Sequence, residues 1–271
     1  MTWSERTVRR DGVRLVLRDS GGTGRPVLLL HGLAGHSGEW DAVVEPLRDR
    51  CRLIALDQRG HGASERRPGD VSRAAYVADA VAVLDTLALP SAALVGQSLG
   101  GHTAMLTAAA HPDRVSALVM VEAGPGGPDP GAPAHIRRWL DSWPVPFPSL
   151  DAAAEFLGGG PVGAGWAAGL ERRDDGWWPR FDRDAMVASV AENAVSALWP
   201  AWNAVACPTL LVLAQSSFIP AEEVAEMFRL RPATTALSVP GTRHDLHLQR
   251  PAVLSRALTA FLDDAEPARN P

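Results

Sequence analysis

The sequence contains no lysine, and all 26 of its basic residues are arginine. This absence excludes Schiff-base catalysis, which needs a lysine amine. Cysteine is nearly absent too: Cys51 and Cys207 each lie beside a predicted strand, and two isolated thiols make neither a disulfide framework nor a metal site. We therefore expect a reducing, cytoplasmic location and no metal or other cofactor.

Long apolar runs and blocks of like charge are also missing. No window approaches the roughly 18 uncharged apolar residues of a membrane span, and the opening MTWSERTVRRDG has no apolar segment typical of a signal peptide. The net charge of -5 comes from dispersed residues, and the Arg-Arg pairs are too short to form a phosphate-binding stripe. We expect a small-molecule partner and neither nucleic acid nor a membrane.

What is present is a βαβα pattern in a chain of 271 residues, 46% of them hydrophobic, which predicts one folding unit. Residues 4–19 alternate around Asp11-Gly12, as in a β-hairpin. Continuous apolar runs (RPVLLLHG, CRLIALDQRG, AALVGQS and VSALVMVEAG) alternate with helical periodicities near residues 41–50, 72–87 and 99–110. Strands without a polar face indicate a mostly parallel sheet covered on both sides.

The pattern changes at Gly124. Residues 124–206 begin with the Gly/Pro-rich GPGGPDPGAPAH and hold seven of the nine tryptophans. We interpret them as an inserted cap, between a first core part (1–123) and a second (207–264) that contains CPTLLVLA, a helix near 221–230, the strand TTALSVPG and a helix near 251–262. Residues 265–271 are predicted to be a loose tail.

The stretch Gly96-Gln97-Ser98-Leu99-Gly100 lies between an apolar strand and a helix. A G-x-S-x-G sequence in that setting is typical of a nucleophile elbow, where the serine is in a strained conformation and the glycines avoid collisions with the neighbouring elements. Ser98 is therefore the candidate nucleophile. The alternative is a structural serine between two glycines.

Two backbone N–H groups are candidates for an oxyanion hole. The elbow points the helix N-terminus, with the N–H of Leu99, at the place where an oxyanion would form. The turn HGLAG directly follows its strand and brings Gly32 and Leu33 to the same end of the sheet. Leu33 N–H is thus the candidate second donor, unless HGLAG is a plain glycine-rich turn.

Among eight histidines, His244 is the best candidate base. It comes just after the last predicted strand, in a loop that reaches the C-terminal edge of the sheet where Ser98 also lies. His247, three residues on, suits a packing position at the start of the next helix. Four of the six remaining histidines have structural interpretations that we prefer: His31, His61, His102 and His111 lie in turns or helices.

These motifs together resemble the α/β-hydrolase fold superfamily. HGLAG, LDQRGHGAS, GQSLGG and PGTRHDLHLQRP occur in that family's order and spacing, from about Val13 to Leu262 apart from the insertion. The resemblance implies an α/β fold with an eight-stranded mostly parallel sheet, helices on both faces and a helical cap where residues 124–206 lie. It also implies a Ser-acid-His triad, but it names no substrate.

The acid is not where the family usually has it. Counted back from Pro220, the usual carboxylate position falls on Ser216 in the loop AQSS. Glu122 is the best alternative, because the apolar strand ALVMVEAG runs straight into it and an imidazole N–H would pair with a carboxylate there. Some superfamily members, including certain small bacterial esterases and the zearalenone lactonases, place their acid after this strand. Weaker candidates are Glu222, Glu223 and Asp245, and Glu122 could instead be a structural acid.

The sequence thus predicts a serine hydrolase that cleaves a carboxylic ester or lactone through an acyl-enzyme on Ser98. A thioesterase, a carbon-carbon bond hydrolase, a perhydrolase or a catalytically idle binding protein are the alternatives. The tryptophans of the cap suggest a hydrophobic substrate, unless they form only the core of the cap. The candidate substrate-binding residues are Gly32, Trp139, Trp143, Trp177, Trp178 and Ser216.

Overall fold

The computed structural model describes residues 2–265, so the predicted loose tail lies, from residue 266 onward, outside the described residues. Eight strands form the central sheet in the order β1-β2-β4-β3-β5-β6-β9-β10, and two short ones form a separate hairpin, β7-β8. The strands are β1 (Ser4–Arg10), β2 (Val13–Asp19), β3 (Arg25–Leu30), β4 (Cys51–Asp57), β5 (Ala92–Gln97), β6 (Val115–Val121), β7 (Glu171–Arg173), β8 (Gly176–Trp178), β9 (Thr209–Ala214) and β10 (Thr235–Val239).

The central sheet is mostly parallel. Only β1-β2 and β2-β4 pair antiparallel, and the five pairs from β4 to β10 are parallel. Asp11 and Gly12, which join β1 to β2, have φ angles of 49° and 80°. Positive φ at both positions is what a two-residue type I′ hairpin turn requires. The predicted fold class, an α/β-hydrolase sheet of eight strands, is confirmed.

Helices cover both faces of the sheet. They are α1 (Asp41–Val44), α2 (Arg73–Thr86), α3 (Leu99–Ala110), α4 (Ala132–Asp141), α5 (Leu150–Phe156), α6 (Gly160–Ala167), α7 (Arg183–Ser189), α8 (Ala191–Val195), α9 (Trp199–Ala204), α10 (Ala221–Leu230), α11 (Leu246–Gln249) and α12 (Pro251–Asp264). Within residues 2–265, no helix is long and apolar enough to cross a membrane.

The sheet separates two hydrophobic cores. Leu28 and Leu30 of β3 pack on the side of α2, α3 and α10, whereas Val27 and Leu29 pack on the side of α1 and α12. Because side chains alternate along a strand, a strand buried on both faces needs apolar residues at every position. This burial explains the uninterrupted apolar runs of the sequence.

The helix expected at residues 41–50 is shorter than predicted. The α-helix ends at Val44, and a 3₁₀ turn, Glu45–Leu47, replaces its continuation. Pro46 is the cause, because proline lacks the N–H that would continue the helix and restricts the residue before it.

Residues 124–206 form most of a third hydrophobic core, which also includes Ala34 from the turn after β3. Leu140, Trp143, Phe147 and Met186 are buried together there, and the hairpin β7-β8 adds two strands to a segment predicted to be helical. Helix α9 differs from the rest of the insertion: Trp202 is fully buried in the main core, and its Nε1 donates to the Met227 carbonyl at 3.0 Å. The end of the predicted insertion therefore packs with the core domain.

Candidate active site

Ser98 occupies the tight turn between β5 and α3. Its φ of 50° and ψ of -116° lie outside the common regions for a residue with a side chain. A Cβ at Gly96 would come within 2.1 Å of the Gly100 carbonyl oxygen, and one at Gly100 within 2.1 Å of the Leu30 carbonyl oxygen. The turn therefore needs glycine at both positions, and it holds Ser98 in a strained, partly exposed position.

The turn after β3 lies beside Ser98. A Cβ at Gly32 would stand 3.5 Å from the Ser98 Cβ. Leu33, the next residue, and Leu99 both line the cavity onto which Ser98 opens. Leu99 is the first residue of α3, where N–H groups have no acceptor within the helix. The backbone of residues 33 and 99 is thus available at the place where the sequence predicts an oxyanion hole.

Glu122 follows the last residue of β6 and is fully buried. Its φ is 48°, a strained value for a residue with a side chain. Its Oε1 accepts a hydrogen bond of 2.6 Å from the Ala214 N–H, at the end of the adjacent strand β9. Burial alone would raise the pKa of Glu122, but the His244 imidazole, the Ala214 N–H and the Ser217 hydroxyl together lower it. The carboxylate is therefore stabilised in its ionised form.

His244 lies in the loop between β10 and α11 and faces Glu122. Its Nδ1 is 3.7 Å from Glu122 Oε2, and its side chain is 40% exposed. That separation suits an ion pair and exceeds a hydrogen bond by several tenths of an ångström. On the other side of the ring, Nε2 is 3.2 Å from the Gln97 amide nitrogen. His244 and Ser98 line the same cavity, so the structure brings the predicted nucleophile, base and acid to one edge of the sheet.

The loop after β9 lacks the carboxylate that the family pattern predicts, but it contributes polar groups beside Glu122. Ser217 interacts with Glu122, as described above, whereas the exposed Ser216 uses its N–H to bond the Thr242 carbonyl at 3.1 Å. Ser216, expected to contact substrate, does not line the cavity. Phe218 and Ile219 of the same loop line it instead, and Phe218, which is 62% exposed, stacks edge-on to His244 with ring centroids 4.8 Å apart.

The other candidate acids have different surroundings. Glu222 is exposed. Glu223 reaches the cavity, and its Oε1 accepts from the Gly126 N–H at 2.7 Å. Burial raises the pKa of Glu223, opposite to the direction found for Glu122. Asp245 also lines the cavity, next to His244 in the chain. Glu122 alone among these four carboxylates has the His244 Nδ1 within 4 Å and is fully buried.

The alternative base His247 is buried on the far side of the loop. Its Nε2 is 3.2 Å from Glu39, and its ring packs against Trp40 with centroids 5.4 Å apart. His61 is likewise buried, which lowers its pKa to about 3. Both side chains are therefore packed inside the protein and do not line the cavity over Ser98.

His102 and Asn193 are cavity residues that sequence reasoning missed. His102 Nε2 is 3.0 Å from the Gly124 carbonyl oxygen, and its Nδ1 is 2.6 Å from the Asn193 amide nitrogen, so α3 and cap helix α8 meet here. Burial lowers the pKa of His102 to about 4, which keeps it neutral at ordinary pH. Its position one helical turn after Ser98 was the available signal; nothing in the sequence marks Asn193.

The cavity over Ser98 has a volume of about 720 Å³ and is enclosed partly by residues of the segment 124–206. Three carboxylates line it, and no arginine of the described residues does. Its apolar surface comes from the turn after β3, the start of α3, the cap and the loop after β9: Leu33, Leu99, Pro125, Ile136, Trp139, Trp166, Val190, Ala194, Leu198, Phe218 and Ile219.

The predicted substrate-binding tryptophans separate into two groups. Trp139 lines the cavity, as does Trp166, which was not predicted. Trp143 is 5% exposed in the core of the cap, Trp177 pairs with Phe147 in the cap backbone, and Trp178 donates to Asp175, so these three lie outside the cavity lining. Gly32 also stays outside the lining, because it packs against the Gln97 amide.

Comparisons with known proteins agree with this architecture. A family model described as the alpha/beta hydrolase fold matches residues 25–251. A 2-(acetamidomethylene)succinate hydrolase from Mesorhizobium japonicum is 30% identical over 249 residues, which is 89% of each chain. An sn-1-specific diacylglycerol lipase from Mus musculus is 29% identical over 259 residues, 91% of this chain and 83% of the relative.

Solved structures give the same picture. A crystal structure of E-2-(acetamidomethylene)succinate hydrolase superposes with a TM-score of 0.84 and 29% identity, covering 97% of this chain and 100% of that one. An enol-lactonase from Burkholderia xenovorans has a TM-score of 0.78 at 19% identity, covering 96% and 100% of the two chains. At that identity the second likeness concerns the fold alone.

Proposed function

The chain belongs to the α/β-hydrolase fold family, and we propose that it is a serine hydrolase that cleaves a carboxylic ester or lactone of a hydrophobic small molecule. The observation that carries the proposal is the position of Ser98: a strained elbow serine opens onto the same cavity as His244, whose Nδ1 faces the buried Glu122. That arrangement has the parts of a nucleophile-base-acid triad.

In the proposed mechanism, His244 Nε2 takes the proton from the Ser98 hydroxyl while Oγ attacks the acyl carbon. The N–H groups of Leu33 and Leu99 donate to the oxyanion. Collapse of the tetrahedral intermediate expels the alcohol, which receives the proton from His244, and leaves an acyl group on Ser98. A water molecule, deprotonated by His244, then releases the acid. Glu122 stabilises the imidazolium formed in both half-reactions.

The cavity supports an uncharged, hydrophobic substrate. Its lining is largely apolar, and its charged residues are Asp129, Glu223 and Asp245. A negatively charged acyl group would meet these carboxylates without an arginine to compensate them. We expect p-nitrophenyl butyrate to react at least about tenfold faster, by kcat/KM, than the anionic mono-p-nitrophenyl succinate, a difference of about 1.4 kcal/mol.

The test of the function is direct. Purified protein is expected to hydrolyse p-nitrophenyl acetate or butyrate and to be labelled at Ser98 by a fluorophosphonate, with no effect of EDTA, while Ser98→Ala loses both reactions. Wild-type protein that is folded but reacts with neither reagent would overturn the proposal in favour of a binding protein. A panel of esters, lactones and thioesters with a common acyl group then separates the remaining acyl-transfer chemistries.

A further inference from the structure

Gln97 directly precedes Ser98 and lines the same cavity as His244, and the proposed triad does not account for it. It is the last residue of β5, and its side chain is buried, with 2% of the residue exposed. A Cβ at Gly32 would come within 2.1 Å of the Gln97 Oε1. The glycine therefore lets the amide occupy this one place, against the turn that follows β3.

The amide nitrogen of Gln97 makes two contacts with His244. It lies 3.3 Å from the His244 carbonyl oxygen and 3.2 Å from His244 Nε2. A carbonyl oxygen can only accept, so the group facing it must be the NH₂. Reversing the amide would set its oxygen against the carbonyl oxygen, with no proton between the two acceptors. The contact with the carbonyl thus fixes the orientation of the amide.

The fixed orientation determines the tautomer of His244. Because the second N–H of Gln97 points at Nε2, this nitrogen must present its lone pair, and the proton of the neutral ring lies on Nδ1. Nδ1 faces Glu122 Oε2 at 3.7 Å. A lone pair on Nε2 and a proton on Nδ1 is the state that a base for Ser98 needs.

We infer that Gln97 is a positioning residue that holds His244 in the tautomer required of the general base, from the side of the ring opposite Glu122. This inference rests on the proposed function. Nε2 has one lone pair, so it must exchange the Gln97 N–H for the Ser98 hydroxyl before it takes the proton, and the amide then keeps only its bond to the His244 carbonyl. Gln97 therefore favours the neutral over the protonated imidazole, whereas Glu122 favours the protonated one.

Two substitutions separate these effects. Gln97→Met keeps the length of the side chain and removes the donor; we expect kcat to fall about 5- to 10-fold, as for one lost hydrogen bond, with KM for p-nitrophenyl butyrate nearly unchanged. Gln97→Glu replaces the donor by an acceptor of the same shape and favours a proton on Nε2. We expect the acid limb of its kcat/KM profile to move up by at least about one pH unit.

The pH readout distinguishes positioning from mere packing. The titratable groups around His244 are Glu122 at the end of β6, His102 on α3, and Asp245 and Glu223 in the same cavity. All four are unchanged in both variants, and His102 is neutral well above pH 4. A limb that moves up in Gln97→Met, and further in Gln97→Glu, therefore reports on the hydrogen bond that residue 97 makes to Nε2, whereas a change in packing alone would leave the limb in place.

A third variant covers the case in which a change at 97 impairs folding. Gly32→Ala leaves Gln97 in place but displaces its amide, and we expect it to reproduce Gln97→Met in the rate of fluorophosphonate labelling. Folded Gln97→Glu with a wild-type pH profile would overturn the role of Gln97 while leaving the function standing. Wild-type protein that Ser98-directed reagents fail to label would instead contradict the proposed function itself.

Discussion

Strands β6 and β9 are neighbours that end at the same edge of the sheet, but they contribute different chemistry to it. Strand β6 ends in Glu122, a buried carboxylate at positive φ. Strand β9 ends in Ala214 and continues into Gln215, Ser216 and Ser217, a loop with hydrogen-bonding groups and no acid. The family resemblance predicts a carboxylate on the loop after β9, whereas in this protein the buried carboxylate beside His244 follows β6.

The difference shows how a buried carboxylate can be accommodated at a strand end. Desolvation opposes ionisation of Glu122, and donors from the other strand offset it: the Ala214 N–H at 2.6 Å and the Ser217 side chain. Gln215 accepts from the Gly241 N–H at 2.7 Å and so ties the same loop to the one that carries His244. One strand supplies the charge, and the other supplies the polar groups that stabilise it.

Removing the charge from β6 should have the largest effect. We expect Glu122→Gln to lower kcat for p-nitrophenyl butyrate by at least about 100-fold, because His244 loses the group that fixes its tautomer and stabilises its protonated form. Glu222→Gln, a change in an exposed carboxylate, serves as the matched control and should retain activity. A nearly normal Glu122→Gln enzyme beside an inactive Glu222→Gln or Glu223→Gln enzyme would contradict the assignment.

Moving the charge to the β9 loop tests whether the two strand ends are interchangeable. In the Glu122→Gln background, Ser217→Asp should restore kcat about tenfold, because residue 217 already reaches the space beside residue 122. Ser216→Asp in the same background is the control. Its side chain is exposed, so equal recovery by both double variants would show that any nearby carboxylate suffices.

Removing the Ser217 hydroxyl beside Glu122 should have a smaller effect on kcat than removing the charge of Glu122. Ser217→Ala removes the hydroxyl that lowers the pKa of Glu122 and leaves the carboxylate in place. We expect a fall in kcat of about fivefold, equivalent to the roughly 1 kcal/mol of a single hydrogen bond. Ser217→Thr keeps the hydroxyl and should stay close to wild type; the same loss in both variants would point to packing instead.

The smallest expected effect is on how the free energy of unfolding changes with pH. The pKa of Glu122 is held below its ordinary 4.5 in the folded protein, so the stability that it contributes is complete above that pH and is lost as the pH falls through the lowered value. Urea unfolding should therefore show a shallower acid-side loss of free energy for Glu122→Gln than for wild type.

The pKa of Glu223 is shifted in the opposite direction to that of Glu122, so the same urea unfolding measurements should show the opposite dependence on pH. Because burial raises its pKa above 4.5, the folded protein loses stability as the pH rises through the raised value. Glu223→Gln, which keeps an acceptor for the Gly126 N–H, should unfold at higher urea than wild type at pH 7, with the difference vanishing below about pH 4.5. A gain that persists in acid would have a different cause.

The sheet and its connections could be predicted because local pattern and global fold agree. Apolar runs bounded by turns gave the strands, and the predicted helices at 99–110 and 221–230 match α3 and α10 to the residue. The location of Ser98 and Glu122 at adjacent strand ends follows from topology as well. Their catalytic roles, with those of His244, Leu33 and Leu99, remain predictions that the variants above address.

The side-chain contacts within residues 124–206 and around the cavity could not be predicted from the sequence, because they depend on how segments distant in the chain pack against each other. Trp139 and Trp143 are four residues apart on and just after α4, but one lines the cavity and the other is buried in the cap. The contact of Asn193 with His102 joins residues 91 positions apart. Gln97 sits in the variable place of its motif, where no pattern marks it.

Strain at two adjacent strand ends has a consequence for the evolution of this protein. Ser98 and Glu122 both hold positive φ angles, of 50° and 48°, at a cost on the order of 1–3 kcal/mol each. Folded domains have a free energy of unfolding of only about 5–15 kcal/mol. Strain at these two residues therefore lowers a stability on which the whole domain depends. Neutral drift far from the cavity is thereby limited, and mutations that stabilise the core widen the set of active-site changes the chain can tolerate.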